Sequence, residues 1–275
     1  MHTSNFKRLI HSKRALAVPV TYLILFVSLM AVISATYSYA VVKIGSRAAS
    51  IKAFVAKQNM QALDNAVRSV AWGFGASEVV YMDDCGGAFK TAPASKNLVL
   101  NFTDEQTFSD IVFNSSVGKA SYQLEPSESN YLGLYIRGDN RAVINQSSSI
   151  MTQLYVTETE NAQTIILCYR PLATAAVIDT SNAKPANLIR VNIINLNFSQ
   201  ELTLREKFYL KITAINVTTV SNQYTFNESI SSLALKASLD ENSNIVWLPI
   251  SSSTEGAVVN LDIVICNVKI EKAEV

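Results

Sequence analysis

Residues 15–42 read ALAVPVTYLILFVSLMAVISATYSYAVV, 28 consecutive positions without a charge. About 20 apolar residues in a helix cross the hydrocarbon core of a bilayer. Thirteen of these positions are Leu, Ile, Val or Phe, each worth about −0.3 to −0.6 kcal/mol near a membrane centre. Nothing more polar than Ser, Thr or Tyr opposes them. The stretch predicts a membrane-inserted helix and sets the plan of the chain around it.

Basic residues flank it on both sides. Lys7, Arg8, Lys13 and Arg14 precede it, Lys43, Arg47, Lys52 and Lys57 follow, and the first acid is Asp64. With four cations on each side, the positive-inside rule selects no orientation. The basic N-terminal part suits an anionic membrane surface.

The junction Lys13-Arg14-Ala15-Leu16-Ala17-Val18-Pro19-Val20 joins a basic pair, a small residue and an apolar run with an early proline. This resembles the class III signal of archaeal type IV pilins and archaellins. The resemblance implies that a prepilin peptidase removes a basic leader, residues 1–15, cutting after Ala15 so that Leu16 becomes the N-terminus. Arg14, Ala15 and Leu16 are then the cleavage-site residues. Two departures stand out: Val20 occupies the place where bacterial pilins carry a Glu, and Pro19 lies one or two positions later than the commonest archaeal spacing. An uncleaved signal anchor is the first alternative. An ordinary secretory signal, cut after Ser38-Tyr39-Ala40, would need a much shorter apolar region, about 7–15 residues.

Residues 43–72 continue with helical periodicity. Ile51, Phe54, Val55, Leu63, Val67 and Val70, with Ala62 and Ala66, mark the expected buried stripe, while Lys52, Lys57, Asp64 and Arg68 lie mostly off it. Only Gly45 weakens the pattern, by about 1 kcal/mol relative to Ala. One helix from Leu16 to Trp72 would hold 57 residues and run roughly 85 Å. An apolar half followed by an amphipathic half is similar to the N-terminal helix of type IV pilins.

Beyond Gly73 the helical period ends. Residues 73–275 read as an extracytoplasmic β-rich domain, with strands expected at Glu78–Met82, Asn97–Phe102, Tyr131–Ile136, Met151–Thr157, Thr164–Tyr169, Leu188–Phe198, Lys207–Val220, Ile245–Ile250 and Ala257–Ile270. Two runs change phase midway, at Ile193/Ile194 and Ile265/Val268, as a β-bulge would require. Ser147–Ser149 and Ser251–Thr254 read as loops. The fold class is α+β: a long hydrophobic-then-amphipathic helix and an antiparallel β-sandwich-like domain.

Charge and composition narrow the function. Residues 1–63 carry eight basic residues and no acid, whereas residues 64–275 carry 15 basic and 22 acidic residues, net −7. The acidic balance argues against a nucleic-acid partner. Both histidines, His2 and His11, precede the span, so the domain lacks His for a triad, a general base or a metal ligand. No phosphate-binding loop or dinucleotide fingerprint occurs, and no enzyme activity, metal or cofactor is expected. Asp83-Asp84 before Cys85-Gly86-Gly87 is the most suggestive acidic pair, yet such acids more often cap a turn. Three cysteines allow one disulfide and a free thiol. Cys168 and Cys266 lie in apolar runs that suit buried thiols.

Six Asn-x-Ser/Thr sequons, at Asn101, Asn114, Asn145, Asn197, Asn216 and Asn227, all follow the span, as expected if that side faces outward. The pilin-like resemblance implies a filament subunit at the cell surface that associates with itself or similar subunits through its N-terminal helix. The alternative is a single-span ectodomain for surface binding or adhesion. Membrane lipid is a partner in both.

Overall fold

The computed structural model describes residues 13–125, 133–146, 150–159, 162–180, 183–240 and 242–274. The chain divides into two compact units, one ending at Ile51 and the other running Lys52–Val275. The basic residues Lys7 and Arg8 lie outside the described residues, as do Ser147–Ser149.

Helix α1 spans Lys13–Val70, with Pro19 inside it. Pro19 carries no N–H, so one carbonyl of the preceding turn goes without its helical bond. From Val18 onward the apolar half is unburied, with a mean hydropathy of 2.2 over its most apolar 18 residues, long and apolar enough to cross a membrane. Two of its hydroxyls are satisfied locally: Ser28 donates to the Leu25 carbonyl (2.9 Å) and Thr36 to that of Val32 (2.8 Å). Such bonds let the hydroxyls enter an apolar medium at little cost.

Within the second unit, the helix buries Ala53, Ala56, Met60, Leu63, Val67 and Val70. Their spacing of 3-4-3-4-3 keeps one seam on one face, since neighbours three and four apart lie one above the other. This corrects the phase expected from the sequence: Ile51 and Phe54 are exposed (64% and 60%), Asp64 is fully buried, and alanines carry the first turns of the seam. Small side chains let a helix approach a sheet closely, which a count of large apolar residues does not register. The helix stops where Trp72 turns left-handed (φ 72) and its N–H meets Cys266 Sγ at 3.4 Å.

Among the described residues fourteen strands follow: β1 (Ser77–Met82), β2 (Ala88–Thr103), β3 (Ser109–Leu124), β4 (Leu134–Arg137), β5 (Ile144–Asn145), β6 (Thr152–Thr159), β7 (Ala162–Tyr169), β8 (Leu172–Asp179), β9 (Ala186–Asn195), β10 (Thr203–Leu204), β11 (Phe208–Phe226), β12 (Ser232–Leu239), β13 (Asn242–Pro249) and β14 (Ala257–Lys272). One sheet is ordered β1-β11-β14-β9-β8-β5, the other β13-β12-β2-β3-β7-β6-β4, with β10 on β2. The arrangement is sandwich-like, each sheet curled into a half-barrel. Most pairs are antiparallel, as expected, but β14 runs parallel to β9 and β5 parallel to β8.

Two hydrophobic clusters fill the domain, and the long strands serve both. On β14, Leu261 and Ile263 enter one cluster, while Cys266, Val268 and Ile270 enter the one that receives the helix. On β9, Ile189, Val191 and Ile193 divide in the same way from Ile194 and from Leu196 just past the strand's end. Since alternate side chains leave opposite faces of a strand, each strand gives one face to each cluster. The phase changes are real, yet the bulges expected within β9 and β14 are absent, because these two strands pair in continuous register from Val258↔Ala186 to Asn267↔Asn195. The bulge lies across from them on β11, where Ile215 is the extra residue between Ala214 and Asn216. It keeps Ile212, Ala214 and Val217 facing the helix-containing cluster despite the change from even to odd numbers.

β3, β5, β8, β10 and β12 fall outside the strands expected from the sequence. The first half of β3, through Asn114-Ser115-Ser116, lacks a sustained alternation, which sets in only over Lys119–Leu124. Gly118 is required there, for a Cβ would lie 2.6 Å from the Leu196 carbonyl oxygen.

Candidate functional site

The region that joins chemistry to architecture is α1 itself: an exposed apolar surface on its first half, and a buried polar anchor in its second. Residues 13–17 begin the helix, which puts Arg14, Ala15 and Leu16 in its first turns. Val20, Leu23, Val27, Met30 and Val41 are all at least 46% exposed. Exposure continues past the uncharged stretch at Ile44 (68%), Ile51 and Phe54. Monomeric soluble surfaces rarely leave contiguous apolar area of this kind uncovered.

The anchor centres on Asp64. Its Oδ1 accepts hydrogen bonds from Thr152 Oγ1 (2.7 Å) and the Tyr169 hydroxyl (2.9 Å), and its Oδ2 accepts one from Arg137 Nη1 (2.5 Å). Arg137 also donates to Asn65 Oδ1 at 2.7 Å. Three donors from β4, β6 and β7 therefore converge on one helical carboxylate, so a charge without solvent is compensated. Burial, then the charge of Asp64, pushes the Tyr169 hydroxyl well above its usual range.

A second cluster lies beyond β4. The fully buried Arg170 donates to the Ile150 carbonyl, to the Asp139 and Arg141 carbonyls and to the Asp139 carboxylate. Gln153 Nε2 donates to the carbonyls of Asp139 (2.9 Å) and Arg141 (3.0 Å). The Arg141 side chain, and next Arg170, hold Asp139 well below the usual carboxylate range against the opposing effect of burial. The loop between β4 and β5 is thereby fixed from both sides.

The other residues singled out by sequence are structural or separate. Asp83 Oδ1 accepts the Asp84 N–H at 2.9 Å, and Asp84 Oδ1 accepts the Gly86 N–H at 2.8 Å, so the acidic pair caps its own turn. Among the described residues no cluster of three His, Cys, Asp or Glu could hold a metal ion. Cys85, Cys168 and Cys266 are all free and buried, and loss of solvation raises each thiol.

The sequons differ in access. Asn114 on β3 and Asn227 after β11 are exposed. Asn227 uses Oδ1 to accept from Lys184 Nζ (2.6 Å). Asn101 and Asn216 are half-buried and engaged with Ser109 and Asn267. Asn197 buries its Oδ1 without a partner, and the hydroxyl of its sequon, Ser199, is buried and accepts the Ile270 N–H. Asn145 is half-buried on β5, and its sequon Ser147 lies outside the described residues.

What sequence reasoning missed was Asp64 and its donors. The only local signal was an acid next to Leu63 at the edge of the apolar face, which reads equally well as a solvated position. No protein-family model, curated protein or solved structure matches the chain.

Proposed function

We propose that the chain is a structural subunit of an archaeal type IV pilus-like surface filament, held in the membrane by α1 before assembly, with its β domain outside the cytoplasm. The observation that carries this reading is the exposure of Ile44, Ile51 and Phe54 beyond the uncharged stretch. Lys43, Arg47, Lys52 and Lys57 share that segment, so hydrocarbon is a poor environment for it, while water is a poor one for the three apolar side chains. Packing against neighbouring copies of α1 covers the apolar residues and leaves the lysines at the margins. The buried Asp64 anchor supports the same reading, because a subunit pulled by its helix needs a domain that does not slip along it. The signal-like junction at Arg14, Ala15 and Leu16 supplies the processing step.

A single-span ectodomain for surface binding remains the second reading, favoured by the local satisfaction of Ser28 and Thr36, which suits permanent residence in lipid. Shearing cells that express the protein and sequencing its N-terminus separates the two. Sheared filaments whose subunits begin at Leu16 are expected; an intact Met1 with only detergent-soluble monomers would overturn the filament reading.

A further inference from the structure

The far end of the apolar half of α1 carries a cationic groove of its own. Tyr39, Lys43 and Arg47 follow one another at intervals of four, so they stack along one face of the helix. The ammonium of Lys43 lies over the Tyr39 ring, 5.7 Å from its centroid, and so reaches back one turn toward the apolar run. With Ala40, Ile44 and Ser46 these residues line an open groove of about 550 Å³. Tyr39 is 65% exposed, and Lys43, Ser46 and Arg47 are exposed as well.

Charge at this groove has one sign. The sequence holds no acid before Asp64. Among the described residues no ion pair involves Lys43 or Arg47, and every residue lining the groove belongs to α1. Lys52 is placed differently, its ammonium lying over Gly86, 2.9 Å from where a Cβ would stand.

Height also distinguishes the groove. Exposed tyrosines mark both ends of the apolar run, Tyr22 (71%) at one and Tyr37 (71%) with Tyr39 at the other. Tyr22 and Tyr39 are 17 residues apart, about 26 Å along a helix, which is close to the roughly 30 Å thickness of a hydrocarbon core. Tyrosines collect at the two membrane–water interfaces. In a bilayer Tyr39 would then stand at headgroup level, with the backbone of Lys43 about 6 Å beyond it.

We propose that this groove binds the phosphate of an anionic lipid, with Lys43 and Arg47 meeting its oxygens and the Tyr39 ring lying beside the upper part of its chains. The proposal rests on the membrane insertion of α1 in the filament reading. The planar guanidinium of Arg47 can give a phosphate two parallel N–H bonds, and the Lys43 ammonium adds a point charge. Ser46 contributes a hydroxyl donor. A zwitterionic headgroup fits less well, because its own cation meets two more cations and no acid. A second copy of α1 brings the same two cations, so this level of the helix repels itself unless an anion lies between. Cleavage after Ala15 would remove Lys13 and Arg14, leaving Lys43 and Arg47 as the cations nearest the apolar run. The mature subunit would then be held at its depth from this end.

The test offers the full-length chain in detergent either phosphatidylglycerol or phosphatidylcholine with the same acyl chains, and counts retained lipid by native mass spectrometry. A preference of about tenfold or more for phosphatidylglycerol, weakening as salt rises, is the expected result. Lys43→Gln with Arg47→Gln, at exposed positions, should abolish the preference with unchanged circular dichroism. Lys13→Gln with Arg14→Gln should keep it, and inorganic phosphate should not displace the lipid. Equal retention of the two lipids, a preference that survives the Lys43/Arg47 change, one lost with the Lys13/Arg14 change, or displacement by inorganic phosphate would each overturn the proposal. Vesicle flotation separates this failure from that of the membrane reading. A chain that enters neutral and anionic vesicles but shows no preference removes the lipid site alone, and one that enters neither removes both.

Discussion

The hydroxyl of Tyr169 on β7 donates to the carboxylate of Asp64 on α1 across 2.9 Å, and both side chains are buried. This bond, with those from Thr152 and Arg137, fixes the helix at one rotation and one height against the sheet. Leu63, Val67 and Met60 could slide along an apolar surface at modest cost; a buried carboxylate cannot, because each displacement leaves it unpaired.

Asp64→Ala should therefore destabilise the protein by about 3–5 kcal/mol, the usual consequence of removing one partner from a buried pair. Tyr169→Phe removes one donor and should cost about 1–2 kcal/mol. Chemical denaturation of the detergent-purified chain measures both. Losses under 1 kcal/mol in both would mean that the cluster does not anchor the helix.

Acid stability should bear the mark of Asp139. Its carboxyl is held low by Arg141 and Arg170, so the folded state favours the charged form. The resulting stabilisation is complete above the unfolded value, about 3.9, and is lost as pH falls through the depressed folded value. Asp139 is 40% exposed at its side chain, so solvent reduces the effect. The stability gap between wild type and Asp139→Asn should be widest near neutrality, narrow as pH falls below about 4, and vanish only below the depressed folded value. A gap independent of pH between 2 and 7 would contradict this assignment, on the same scale.

Phe54→Asp tests assembly without disturbing the fold. Phe54 is exposed in the isolated chain, so the change should alter stability by no more than about 0.5 kcal/mol and leave membrane insertion intact. Surface filaments should disappear. Normal filaments from this variant would remove the apolar extension from the interface.

Leader removal should depend on a small residue before the cut. Ala15→Leu should leave an uncleaved form that migrates more slowly than the processed protein on a gel. Identical mobility of wild type and variant would place any cut elsewhere.

Among the six sequons, any glycan should be found at Asn114 and Asn227, whose side chains reach solvent, and not at Asn197. Glycopeptide mass spectrometry of protein from its native membrane checks this. Sugar on Asn197 would require attachment before the domain folds.

The residues on either side of Gly73 explain how much could be read in advance. A helix long and apolar enough to cross a bilayer is specified by composition over adjacent residues, so 28 uncharged positions mark it without reference to anything distant. Alternation in Phe208–Ala214 likewise specifies a strand with one buried face, since the two-residue period is local. What local patterning does not contain is the identity of the partner. Ala53 and Ala56, rather than Ile51 and Phe54, face the core because the sheet offers close approach on that side, and Asp64 is buried because Thr152, Tyr169 and Arg137, 73 or more residues away, supply its donors. The parallel pairing of β9 with β14, and the placing of the bulge on β11, are decided by which strands meet. Sequence thus determined where the chain is amphipathic and with what period, and tertiary structure decided which face is inside, because burial and pairing are properties of contacts between distant residues.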